Sequence, residues 1–206
     1  MIKNVIFDFG QVLVRFDPTY MVGLYVSDDR DKTLLADVVF DRLYWNELDK
    51  GTLGDEELLL LARERLPERL WNVAETIYRN WIIHLPPIDG MAELIRFIKA
   101  TYNVRCFLLS DISKYFAENC DKAPILQLLD GCVFSGPLGI TKPSKEIFEH
   151  ILNKYGLSAE ETVFIDDKDQ NIAGANAVGI RGYVFDGDVS KLRRYLDSIL
   201  KNQNHA

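Results

Sequence analysis

Apolar positions along the chain fall into two patterns. At the start, Val5, Ile6 and Phe7 form a short apolar run that stops on Asp8, with Gly10 just behind it. β-branched and aromatic residues bounded by polar positions predict a buried strand of a parallel sheet, here with Asp8 at its carboxyl end. Similar runs recur at 104–109, 132–135, 162–165 and 182–185, alternating with helical stretches near 90–101, from Lys142-Pro143 to Gly156, up to Val178 and at 189–200. Between Phe16 and Pro87 the pattern is helical instead. Helices are expected at 20–26, 31–43, 55–66 and 68–83, with turn signals at Lys50-Gly51 and Leu66-Pro67.

Alternation of strand and helix predicts an α/β fold, a doubly wound parallel sheet of Rossmann-like type. The helical stretch is inserted after the first strand. The expected division is a core of residues 1–15 and 88–206 and an insert of residues 16–87, with Leu58 to Leu61 and Trp45, Trp71 and Trp81 supplying apolar mass for a small bundle.

Composition narrows the function. With 206 residues, 48% hydrophobic, the chain can bury a sizeable core. A net charge of −7 argues against sequence-independent nucleic-acid binding, which wants a basic face. Cys106, Cys120 and Cys132 have neither C-x-x-C spacing nor neighbouring histidines, so a reduced, cytoplasmic protein without a disulfide framework or zinc site is expected. No stretch approaches a membrane span, Asp8 and Arg15 interrupt any signal-peptide pattern, and residues 201–206 read as a frayed tail. Oligomeric state leaves no mark in the sequence.

Three strand ends carry polar residues: Asp8, then Ser110-Asp111, then Asp166-Asp167. Lys142 opens the helix after the 132–135 run. Any one of these reads most simply as a cap or turn. In a parallel sheet, however, all of these ends lie on one edge, where ligands bind. Carboxylates brought within about 4 Å repel by roughly 4 kcal/mol per pair at an effective dielectric near 20, so the cluster calls for a cation. Oxygen donors without Cys or His point to Mg²⁺. A cation, a lysine and a serine beside a carboxylate suit a phosphoryl group, with Asp8 as nucleophile.

FDFGQVL at 7–13, LLSD at 108–111, KP at 142–143 and FIDDKDQNIAGANAVG at 164–179 resemble, in order, the four motifs of the haloacid dehalogenase (HAD) superfamily. The helical insert resembles the α-helical cap of that superfamily's phosphatases. Gly10, the run at 46–51 and GITKPSKEIF at 139–148 are similar to the branch containing the α-D-glucose-1-phosphate phosphatases. The resemblance implies a phosphatase acting on a small phosphorylated metabolite such as a sugar phosphate. It implies Asp8 as nucleophile and Mg²⁺ ligand, Ser110 as donor to the phosphoryl oxygens and Lys142 as their counter-charge. Asp167 would bind the metal directly, Asp166 directly or through water, and Gly10 through its carbonyl. Asn171 would line the same pocket.

One departure stands out. Most phosphatases of the superfamily carry a second Asp two residues after the nucleophile, as acid for the leaving group and base for water, where this chain has Gly10. Such a proton donor is often worth about 10² to 10⁴ in rate. Three consequences are open: a leaving hydroxyl acidic enough to do without, a substitute such as Asp17 or a residue of the insert, or slow turnover. The first is favoured.

Other expectations follow for single residues. Trp45, Glu47 and Lys50 are placed in a cap loop facing the site, Trp45 being more simply core. Asp111 is expected to cap the next helix, to touch substrate or to take part in proton transfer, and His84, His150 and His205 to be surface or packing residues. Lys142→Ala is expected to lower turnover with folding intact. Two other readings remain: a metal-independent 2-haloacid dehalogenase, opposed by the paired Asp166-Asp167, and a non-catalytic phospho-ligand or partner-binding module on the same fold.

Overall fold

A computed structural model describes residues 1–201. His205 and the expected frayed tail beyond Lys201 lie outside the described residues. Five parallel strands, β1 (Asn4–Phe7), β2 (Arg105–Ser110), β3 (Gly131–Phe134), β4 (Thr162–Asp166) and β5 (Arg181–Val184), form one sheet in the order β3-β2-β1-β4-β5. β1 therefore lies at the centre, covered on both faces, which is why its apolar run shows no polar alternation. Phe7 pairs with Leu108 on one side and with Ile165 on the other, so Asp8 emerges between the ends of β2 and β4. The strand order reverses between β1 and β4, and a crevice opens at such a switch point.

Successive side chains alternate between the two faces of the sheet. Val5, Phe7, Cys106, Leu108, Val163 and Ile165 belong to one apolar cluster, with α6 (Met91–Tyr102) and α11 (Val189–Leu200). Ile6, Phe107, Leu109 and Phe164 belong to the other, with α9 (Lys145–Tyr155) and α10 (Asp169–Ala177).

Between β1 and β2 the chain forms α1 (Pro18–Gly23), α2 (Asp29–Val39), α3 (Arg42–Asp49), α4 (Asp55–Arg65) and α5 (Trp71–Asn80). Their apolar faces join the first cluster, so the insert and one face of the sheet share a continuous interior. An aromatic chain crosses the junction. Phe9 meets Phe116 at 4.9 Å between ring centroids, Phe116 meets Trp81 at 5.5 Å, Trp81 meets Trp45 at 5.1 Å and Trp45 meets Phe16 at 5.1 Å.

Two local expectations are corrected. The helix expected over 31–43 is two helices, because α2 ends at Phe40 and Asp41 caps a new start by accepting the backbone N–H of Leu43 at 3.0 Å. Trp45 and Glu47, expected in a loop, are consequently helical. Lys142-Pro143 does not open a helix either. It forms a cis peptide in the loop preceding α9, held where the Lys142 N–H donates to Asp111 Oδ1 at 2.9 Å. Asp111 is thereby used, and the next helix, α7 (Lys114–Glu118), is capped by Ser113. Asp28 caps the start of α2 by accepting the backbone N–H groups of Arg30 and Asp31. No described helix is long and apolar enough to cross a membrane.

The Lys142 loop rests against α10 through Gly174. A Cβ at that position would lie 2.5 Å from the Pro143 carbonyl oxygen and 2.9 Å from the Phe148 ring. Gly174→Ala is expected to destabilise the fold by about 1–3 kcal/mol through overpacking and to push the Lys142 loop outward. Thermal unfolding measures the first effect, and faster hydrogen exchange at the Lys142 backbone N–H measures the second.

Candidate active site

The sheet edge concentrates charge because three strands end there together. Asp8 follows β1, while Ser110 and Asp166 are the last residues of β2 and β4. Lys142 arrives from the loop before α9, its Nζ 2.6 Å from Asp8 Oδ1, 2.8 Å from Asp166 Oδ2 and 3.2 Å from the Leu109 carbonyl. All four residues are buried. A buried ammonium in such a position ties β1, β2 and β4 together through groups that would otherwise repel.

Asp166 is hydrogen-bonded through both oxygens. Beyond Lys142, it accepts from Asn171 Nδ2 at 2.9–3.0 Å and from the Lys168 N–H at 2.8 Å. Asn171, on the first turn of α10, is buried and reaches this network as well as the cavity wall. Asp167 turns outward to the cavity and is partly exposed. Asp8, Asp166 and Asp167 each offer one oxygen, and these oxygens lie within 4.8 Å of one another. Three carboxylates against one ammonium leave a negative, all-oxygen cluster, and that donor set fits a hard divalent cation. Gly10 lines the same cavity.

Electrostatics reflect the crowding. Burial raises the Asp8 carboxyl above its ordinary range, with Asp166 adding to the effect and Lys142 opposing it. Burial also raises Asp111 and Asp167. Against its own burial cost, the Lys142 ammonium is held above its usual value by Asp8, Asp166 and Asp111.

Above this edge lies a cavity of about 780 Å³ roofed by the insert. Ser110 and Asp111 line its floor, and Phe16, Trp45, Trp81 and Leu85 line an apolar wall. Trp45 is both core and wall: it is 4% exposed and donates its Nε1–H to the Val39 carbonyl at 2.7 Å. Glu47, expected to face substrate, does not line the cavity. Its two oxygens are bonded to Lys50 Nζ and Thr52 Oγ1, each at 2.6 Å, on another side of α3. Lys50 does line it. Asp17 caps α1 by accepting from the Tyr20 N–H and is likewise away from the wall. His84 packs by a hydrogen bond to the Tyr25 hydroxyl at 2.7 Å.

The residue that sequence reasoning passed over is Asp49. It lines the cavity from the last turn of α3, and its buried Oδ1 has no hydrogen-bond partner among the described residues. Burial pushes its carboxyl up to about 8, with Asp111 and Asp8 adding to the effect and Arg42 and Lys168 opposing it. The available signal was helical spacing, since Asp49 stands four residues after Trp45 and so shares its face, whereas Glu47 does not. Placing Trp45, Glu47 and Lys50 in a loop hides that spacing.

Two consequences are measurable. Lys142→Ala leaves Asp8 and Asp166 buried without their counter-ion, so it is expected to cost about 3–5 kcal/mol of stability rather than leave folding untouched, with part recovered when Mg²⁺ is added during thermal unfolding. For Asp49 the sign runs the other way. An acid raised from 3.8 to about 8 keeps a proton in the native state that the unfolded chain gives up, so its contribution declines as pH rises across that window. Asp49→Asn is expected to melt roughly 2–4 °C above wild type at pH 9, allowing for solvent screening of a partly exposed side chain, and to merge with it near pH 4.

Comparison with known proteins agrees with this geometry. The chain is 26% identical over 181 residues to the sesquiterpene phosphatase astK of Aspergillus oryzae, spanning 87% of this chain and 88% of that one. It is 26% identical over 194 residues to a D-ribitol-5-phosphate phosphatase of Bacteroides thetaiotaomicron, spanning 89% and 91%. In fold it is similar to the HAD family enzyme bt-2542 of Bacteroides thetaiotaomicron, solved in complex with magnesium and inorganic phosphate, with a TM-score of 0.67 at 22% identity over 93% of this chain and 99% of that one. The family model for haloacid dehalogenase-like hydrolases matches residues 2–179, and the chain belongs to that family of hydrolases.

Proposed function

We propose that the protein is a Mg²⁺-dependent phosphatase that hydrolyses a small phosphorylated metabolite through an aspartyl phosphate on Asp8. One observation carries this reading: Lys142 bridges Asp8 and Asp166, and Asp167 completes a tight oxygen cluster beneath a roofed cavity. Residues 1–15 and 88–206 act as the catalytic core and residues 16–87 as the cap that encloses substrate.

Asp8 Oδ2 attacks phosphorus while Oδ1 stays oriented by Lys142. Lys142 balances charge on the phosphoryl oxygens, Ser110 donates a hydrogen bond to them, and Asn171 holds Asp166 in place. Asp8, Asp167, the Gly10 carbonyl and Asp166, directly or through water, would hold Mg²⁺, which would supply the further counter-charge that a dianion needs. The apolar insert excludes bulk water from the reacting groups.

A sugar 1-phosphate is the favoured substrate, on the resemblance to the glucose-1-phosphate phosphatase branch. The two related phosphatases act on a sesquiterpene and on ribitol 5-phosphate by name, which supports the reaction class and leaves the alcohol to the cavity. Pairing of Asp166 and Asp167 at one strand end opposes metal-independent dehalogenation, which has no use for a cation cluster.

Phosphate release from a panel of sugar phosphates and nucleotides tests the reading. Chelation of Mg²⁺ and Asp8→Asn are each expected to reduce release by at least about 10³-fold, with 1-phosphates preferred over 6-phosphates. Release that survives both treatments overturns the mechanism. Halide release insensitive to chelator revives the dehalogenase.

A further inference from the structure

Departure of an alcohol from a phosphate ester leaves charge on the bridging oxygen, and unless that alcohol is acidic the oxygen must receive a proton as the bond breaks. Among the described residues, four carboxyl groups line the cavity: Asp8, Asp49, Asp111 and Asp167. Asp8 and Asp167 belong to the oxygen cluster, and Asp111 accepts the Lys142 N–H. No histidine lines the cavity among the described residues. Lys50 is paired with Glu47. Only Asp49 comes from the insert, and in-line attack by Asp8 sends the leaving group away from the sheet edge, toward the insert.

We propose that Asp49 is the catalytic acid and base that substitutes for the side chain absent at Gly10. The inference rests on the phosphatase reading. In the first step a bond forms between Asp8 Oδ2 and phosphorus, the bond from phosphorus to the alcohol oxygen breaks, and the Asp49 proton passes to that oxygen. In the second, water attacks phosphorus, the bond to Asp8 breaks, and the water's proton returns to Asp49. The alcohol and inorganic phosphate leave, and both carboxyl groups end as they began.

The position of Asp49 is fixed rather than incidental. Its carbonyl accepts from Ser135 Oγ at 2.6 Å, and the same Oγ accepts from the Ile112 N–H at 2.8 Å, so the end of α3 is pinned to the loop that follows Ser110 and Asp111. The next turn packs as tightly, since a Cβ at Gly51 would lie 2.2 Å from the Gly136 carbonyl oxygen. The Asp49 carboxyl has its Oδ1 buried and unpartnered among the described residues, on a side chain whose residue lines the cavity. The charged groups that face it are Asp111 after β2, Asp8 after β1, Lys168 before α10 and Arg42 on α3 itself, and with burial they leave it protonated at neutral pH.

At position 10 the cavity has room, for a Cβ built there meets no atom within 4 Å. The missing carboxylate is therefore not excluded by crowding, and its role can be handed back.

Leaving-group dependence tests the assignment. Alcohol release in a single turnover, measured by rapid quench with Mg²⁺, is compared for an alkyl phosphate, whose alkoxide needs a proton, and for p-nitrophenyl phosphate, whose phenolate does not. Asp49→Asn is expected to slow release from the alkyl ester by about 10² to 10⁴, and release from the nitrophenyl ester by on the order of ten times less or better. The alkaline limb of the wild-type alkyl profile is expected to vanish in the variant, and Gly10→Asp added to Asp49→Asn is expected to restore alkyl turnover. Equal losses for both esters, or losses confined to KM, overturn the assignment and make Asp49 a substrate-reading residue. A folded wild type that releases neither alcohol overturns the phosphatase reading, and the assignment with it.

Discussion

One buried ammonium holds the site together. Lys142 touches Asp8 and Asp166 at hydrogen-bond distance and the Leu109 carbonyl besides, so a single charge spans the ends of three neighbouring strands. Without it, two carboxylates would be buried side by side at the switch point of the sheet. Such an arrangement costs stability unless geometry and hydrogen bonding are nearly complete, and here Asn171 and the Lys168 N–H bond to Asp166 as well. The loop that carries Lys142 is itself located from below by Asp111 and from the side by Gly174.

That network leaves the chemistry unequally shared. The core supplies Asp8, Asp166 and Asp167 at strand ends and Lys142 from the loop before α9. The insert supplies walls and Asp49. Both halves are joined by apolar packing, from Phe9 through Phe116 and Trp81 to Trp45, and by Ser135 Oγ, which bonds to both at once. A carboxyl group needs a fixed distance to the departing oxygen if it is to transfer a proton, and a clamp on the backbone at that same residue provides it.

Local signals carried the alternation of strands and helices and the convergence of Asp8, Ser110, Asp111, Asp166 and Asp167 on one edge. A short apolar run ending on a carboxylate is a nearest-neighbour pattern, and parallel pairing brings such endings together whatever the loops do. The motif resemblance added the family, which the match over residues 2–179 establishes. The structure departs from these signals at the helix break of Phe40-Asp41, at the loop position of Lys142-Pro143 and at the partner of Asp111.

Sequence by itself thus determined the sheet, its loaded edge and the type of chemistry, because strand pattern and motif order are written in consecutive residues. Tertiary structure alone decided which side of α3 meets the cavity, and with it that Asp49 faces the site while Glu47 bonds to Lys50 and Thr52. It also decided that Asp17 is a helix cap and that position 10 stands in open space. The physical reason is common to these cases: whether a polar side chain near a site is free depends on partners from distant segments, and no local pattern encodes them.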